Sequence, residues 1–175
     1  MNAPNGGHWL IVGMTESGKS SLARAMAKEY ANVGHRPIVL DVTRNREWGP
    51  TAIIFDDPDK MLEYVKDPRQ CLRQPLFLEE AGLSLDRCQS QFLWFTTFSR
   101  HHGMRCHIVA QRAEMVNKTV RSQCANLAAF GLAFDDAKAY AREFNGPEIM
   151  KCTTFRPGTY IHKTRYAPGE IRKLF

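Results

Sequence analysis

Eight consecutive residues, Gly13-Met14-Thr15-Glu16-Ser17-Gly18-Lys19-Ser20, constrain this chain more than any other stretch. They match G-x-x-x-x-G-K-[S/T], a pattern that carries meaning only between a strand and a helix. Both flanks are present. The apolar run His8-Trp9-Leu10-Ile11-Val12 precedes the loop, and a helix-forming segment from Lys19 to Lys28 follows it. Successive backbone N–H groups in such a loop curl around a phosphate, and the positive end of the helix dipole adds to the attraction. The pattern predicts that Gly13, Met14, Thr15, Glu16, Ser17, Gly18, Lys19, Ser20 and Ser21 bind a nucleotide, ATP, together with Mg²⁺. Lys19 is placed to reach the β- and γ-phosphates, and the Ser20 hydroxyl to meet the metal.

The rest of the chain alternates strands with helices. Apolar runs at 37–42, 52–55, 75–78, 106–110 and 127–134 read as strands. They alternate with helices at about 19–32, from Asp57-Pro58-Asp59 to about Lys66, from about Asp86 to His102, around 116–124, and a last one capped by Asp135-Asp136 and running to about Phe144. In the third of these, Cys88, Phe92, Phe95 and Ser99 recur at helical spacing, a core-facing stripe. Met150–Phe155 and Thr159–Thr164 flank Arg156-Pro157-Gly158 and read as a β-hairpin. The pattern predicts a single α/β domain over 1–175, with a mainly parallel sheet, helices on both faces and a core over about 8–145. The hairpin and tail occupy about 148–175. Ligands in such sheets gather at the carboxyl ends of the strands.

Glu79 and Glu80 end the apolar strand Pro75-Leu76-Phe77-Leu78. Phosphoryl transfer to water needs one carboxylate near the metal and another that orients the attacking water. Glu79 takes the metal role in this reading and Glu80 the water-activating role, the alternative being two glutamates that open a solvated loop. Gln111 ends the next strand and can contact the γ-phosphate or the lytic water. Arg100, Arg112 and Arg121 are candidates for an arginine supplied to a neighbouring subunit, all three expected near the nucleotide edge of the sheet. His101, His102 and His107 have no acidic or thiol partner at zinc-ligand spacing.

Charge points to the partner. With 24 Lys and Arg against 18 Asp and Glu, the chain carries a formal net charge of +6, which favours a polyanion such as nucleic acid. Lys118, Arg121, Lys151, Arg156, Lys163, Arg165, Arg172 and Lys173 read as a surface facing a phosphate backbone, or else as ordinary solvated charge. Five widely spaced cysteines without a C-x-x-C pair fit reduced thiols in a cytoplasmic setting. No run is long enough to span a membrane, so the chain is expected not to be an integral membrane protein.

Three blocks, GMTESGKSSLA, LFLEEAG and SRHHGMRCHIVAQRAEMVNKTVRSQCANLAAFGL, together resemble the HerA/FtsK class of DNA-translocating ATPases. The first is its Walker A loop and the second its Walker B strand with acid. Arg121 and Asn126 stand at the arginine and asparagine of the third block, and Phe155-Arg156-Pro157-Gly158-Thr159 matches the class's Pro-Gly hairpin. Within the class the chain is most similar to genome-packaging ATPases of tailless icosahedral viruses with an internal membrane. Phage assembly ATPases of the Zot type are similar too. The resemblance implies a RecA-like P-loop fold and an ATP-hydrolysing motor acting on double-stranded DNA. It further implies a homo-oligomeric ring, a hexamer with sites between subunits, recruited from the host cytoplasm to capsid, portal-vertex or membrane proteins of the virion. Glu79 departs from the usual Asp of the class. A small-molecule nucleoside or nucleotide kinase is the alternative of comparable size and fold.

Overall fold

A computed structural model describes residues 7–43, 47–79 and 93–175. Its frame is one eight-stranded sheet with the order β3-β2-β4-β5-β1-β6-β7-β8. The strands are β1 (His8–Val12), β2 (Ile38–Leu40), β3 (Ile53–Phe55), β4 (Pro75–Leu78), β5 (Arg105–Ala110), β6 (Cys124–Ala129), β7 (Thr159–Thr164) and β8 (Ala167–Lys173). The first six run parallel, whereas β7 and β8 add to the β6 edge antiparallel.

Burial explains why the central strands read as continuous apolar runs. Alternate side chains enter two separate cores, one on each face of the sheet. Leu10, Val12, Leu76, Leu78 and Ile108 join one core, and Trp9, Ile11, Phe77 and Val109 the other. The helix α1 (Lys19–Asn32) covers the second face with Leu22, Ala23, Ala27 and Tyr30. Helices that contribute to the first face include α2 (Pro58–Val65) with Met61 and Val65, α4 (Lys118–Gln123) with Val120, and α5 (Phe134–Glu143) with Ala137 and Tyr140. A short turn of helix, α3 (Pro68–Cys71), links α2 to β4. Asp57 caps α2 by accepting from the N–H of Asp59 at 2.8 Å and of Lys60 at 3.1 Å, as Asp-Pro at a helix start requires.

Three local expectations are corrected. Met150–Phe155 is no strand: Pro147–Thr154 forms a 3-10 helix whose three-residue repeat buries Ile149 and Cys152. The hairpin is instead β7 and β8, turning at Arg165-Tyr166. The strand expected over 127–134 begins earlier and stops at Ala129, because Phe130 to Ala133 leave the sheet to pack beside the glycine loop that follows β1. Asp136 does not cap α5; its carboxylate accepts from the N–H of Ala113 at 2.8 Å, clamping the end of β5 to the helix. Of the helix expected from Asp86 to His102, 93–97 is helical and Ser99–His102 is 3-10, with Phe95 and Ser99 fully buried. Cys88 and Phe92 lie outside the described residues.

Candidate nucleotide site

The loop after β1 folds around two glycines that no other residue can replace. Gly18 stands at φ 111°, the N-cap of α1, and an added Cβ at Gly13 would come within 2.7 Å of Phe130 and 2.6 Å of Ser17 Oγ. Lys19, buried beneath the loop, donates from Nζ to the Met14 carbonyl oxygen at 2.7 Å. The ammonium thus lies folded across the cradle that a phosphate chain would occupy. Ser17 Oγ is buried there without a protein partner, a polar atom suited to a ligand oxygen.

The acid strand meets this loop from the side. Ser20 Oγ donates a hydrogen bond to Glu79 Oε1 across 59 residues of sequence. Serine and glutamate oxygens are hard donors of the kind Mg²⁺ takes, so this pair fits that metal. β5 lies between β4 and β1, and its end therefore projects between Glu79 and the loop. A cavity of about 110 Å³ results, lined by Thr15, Glu16, Lys19, Ser20, Glu79, Val109, Ala110 and Gln111. Gln111, half-buried, lines this cavity from the end of β5. Ser21 follows Ser20 on the exposed side of α1. Glu80 lies outside the described residues.

No protein-family model matches the chain, and no curated protein matches it in sequence. Solved structures do. The genome-packaging NTPase B204 from Sulfolobus turreted icosahedral virus 2, in complex with AMPPCP, superposes with a TM-score of 0.82 at 15% identity, covering 100% of both chains. The two chains share one fold.

Other structures carry the B204-like fold with additions. The conjugation coupling protein TcpA of pCW3 matches with a TM-score of 0.72 at 16% identity, over 99% of this chain and 61% of its own. VirB4 of Thermoanaerobacter pseudethanolicus gives 0.70 at 11% identity, over 99% and 91%.

Within the B204-like fold the arginines part company. Arg112, directly after Gln111, stays at the edge of the sheet that holds the glycine loop and is exposed, 2.8 Å from Glu114 and 3.9 Å from Asp136. Arg100 does not share that edge. It precedes β5, whose parallel neighbour β1 runs toward the loop, so Arg100 sits at the opposite end of the sheet, near His8. Arg121 is committed internally: its guanidinium donates to the Ala113 carbonyl and pairs with Glu143 at 3.0 Å, with both side chains largely buried.

Part of the expected basic surface is also internal. Lys163 is buried and donates to the carbonyls of Thr164 at 3.0 Å and Ala167 at 2.5 Å. Arg165 donates to the carbonyls of Cys124, Glu143 and Arg121 at 2.9, 2.9 and 3.0 Å while lying over the Phe144 ring. Lys118, Lys151, Arg156, Arg172 and Lys173 remain exposed. His107 is a core residue: burial pushes its imidazole down to about 3, and it contacts the Leu76 carbonyl at 3.0 Å and stacks on Phe77. Asn126, also buried, sits beside the His8 carbonyl.

Asp41 was not singled out from the sequence, yet it stands beside Glu79. β2 pairs with β4 in the register Leu40 to Leu78, so the two acids leave adjacent strands at one level. Its carboxylate accepts from the Thr43 N–H at 2.9 Å and from the Trp48 indole at 2.9 Å, which buries a tryptophan that reads as an isolated loop residue. The signal was available: Ile38-Val39-Leu40-Asp41 repeats the apolar-run-then-acid form of Leu76-Phe77-Leu78-Glu79.

Proposed function

We propose that this chain is an ATP-hydrolysing motor that moves double-stranded DNA, packaging a viral genome into a preformed capsid. The observation that carries the reading is the cavity in which Lys19, Ser20, Glu79 and Gln111 converge. The match to a viral packaging NTPase along the full length of both chains supports it.

The chemistry follows from the groups at hand. An incoming triphosphate offers oxygens better suited to Lys19 than the Met14 carbonyl, because an ionic hydrogen bond outweighs a neutral acceptor. Lys19 then swings onto the β- and γ-phosphates, and the loop N–H groups and the α1 N-terminus hold the chain of charge. Ser20 and Glu79 would hold Mg²⁺, which supplies charge neutralisation for the terminal phosphoryl group when bound. Gln111 orients the attacking water beside that group, and Glu80 takes its proton. Loss of the terminal phosphate removes what Gln111 touches, and β5 transmits the change through Asp136 into α5.

The working form is a homo-oligomeric ring, a hexamer, recruited from the host cytoplasm to the packaging vertex by capsid, portal or membrane proteins. Arg112, at the nucleotide edge, is the arginine best placed to meet a neighbour's site. DNA grip falls to the exposed basic residues. The likeness to TcpA favours a second reading, transfer of DNA between cells, and a major capsid protein encoded beside this chain would decide for packaging.

The test is ATP turnover with and without duplex DNA, in wild type and Lys19→Ala. DNA-stimulated turnover that Lys19→Ala abolishes is expected. Equal turnover in both proteins would dismiss the loop as the catalytic site, and phosphate transfer to a nucleoside would favour the kinase.

A further inference from the structure

The loop has two flanks, and only one of them faces the cavity. On the β5 and β4 flank lie Lys19, Glu79 and Gln111, where the terminal phosphate belongs. A triphosphate lying along the α1 N-terminus must send its nucleoside out on the other flank, toward β6, β7 and β8. That flank is built from residues near the end of the sequence. The Gly158 N–H donates to the Ser17 carbonyl at 2.9 Å, and the Gly158 carbonyl accepts from the Leu174 N–H at 2.8 Å. Backbone contact is close: an added Cβ at Gly18 would lie 3.6 Å from Gly158 Cα. Over Gly158 lies the ring of Phe175, 2.6 Å from where a Cβ would stand.

Phe175 is 84% exposed, although its backbone neighbour Leu174 is tied to Gly158. The ring lies on Gly158, whose backbone meets the loop, and it leaves open to water apolar area that a stacked base would cover. The column beneath the loop is already filled by Phe130 stacked on Tyr160 at 5.0 Å, so Phe175 is not needed for packing there. Arg156 and Pro157, also exposed, border the same face.

We propose that Phe175, seated on Gly158, is the platform on which the purine base of the bound nucleoside triphosphate stacks. The proposal rests on the nucleotide-site reading above and adds the base subsite to it. A ring platform contacts the face of the base and leaves its edge unread, so ATP and GTP use it alike. Base–aromatic stacking is sequence-tolerant for the same reason, and its loss on alanine substitution amounts to about tenfold in affinity.

Calorimetric titration of the full chain with ATP, GTP and inorganic tripolyphosphate separates the possibilities, using wild type, Phe175→Ala and Phe175→Trp. Phe175→Ala is expected to weaken ATP and GTP about tenfold while leaving tripolyphosphate unchanged, and Phe175→Trp to restore both. Unchanged ATP affinity in Phe175→Ala would overturn the platform and leave the nucleotide site standing, as would a shift in oligomeric state alone. An equal loss for tripolyphosphate would also overturn it, because the defect would then lie in the loop. Wild type that binds neither ATP nor tripolyphosphate would remove the nucleotide site itself.

Discussion

Two sets of polar groups, both reached from the same sheet, differ in what holds them. At the strand carboxyl ends, Lys19 rests on a loop carbonyl and Ser20 on Glu79, contacts between a few groups that a ligand's oxygens can replace. Beneath the sheet and along the hairpin, Arg121, Lys163 and Arg165 are tied to backbone carbonyls of the folded helices, turns and strands themselves. Residue type alone does not assign a role. A cation is functional where its partners are exchangeable and structural where they are fixed.

Arg121→Ala leaves the largely buried Glu143 carboxylate without its cation, and is expected to destabilise the fold by ~1–3 kcal/mol. Denaturant midpoints measure this, while ATP turnover per folded molecule stays near wild type at low temperature. A large turnover defect with wild-type stability would move Arg121 into the site. Lys19→Ala is the mirror case: turnover falls about 10²–10³-fold, as for loss of a preorganised electrostatic contact, and the melting temperature hardly moves.

Smaller effects sharpen the same contrast. Gln111→Ala is expected to lower kcat about 10²-fold through misplaced water, with ATP affinity changed little. Single-turnover measurements separate the two. His107 gives a pH signature: its folded value of about 3 lies below the ordinary 6.5, so the unfolded chain takes up the proton first as pH falls. Stability is therefore full above 6.5 and falls toward pH 3 by up to about 1.4 kcal/mol per unit. His107→Leu should flatten that slope in urea titrations at pH 4 to 7. Arg100→Ala, at the far end of the sheet, is expected to change stability by under ~0.5 kcal/mol and ATP affinity not at all.

How much could be read beforehand follows from where the partners lie. The nucleotide loop is contiguous, and Glu79 and Gln111 each end an apolar run, so local pattern located them. Arg165 could not be read this way, since its acceptors Cys124 and Glu143 lie 41 and 22 residues away and offer only backbone oxygen. Sequence proximity to a predicted strand also misplaced Arg100, because a residue just before a parallel strand belongs to the edge opposite the site. Pro147–Thr154 was ambiguous for another reason: a short mixed apolar run suits a strand as well as a 3-10 turn. The contact of Gly158 with the loop had no local signal, being set by how β7 returns along β6.

The central claim is that the loop before α1 and the end of β4 act on one phosphoryl group. A crystal structure with a nonhydrolysable ATP analogue tests it most directly. The terminal phosphoryl group is expected in the cavity between Lys19, Glu79 and Gln111, with the Lys19 contact to Met14 given up. An analogue bound elsewhere, or one that leaves that contact intact, would contradict it.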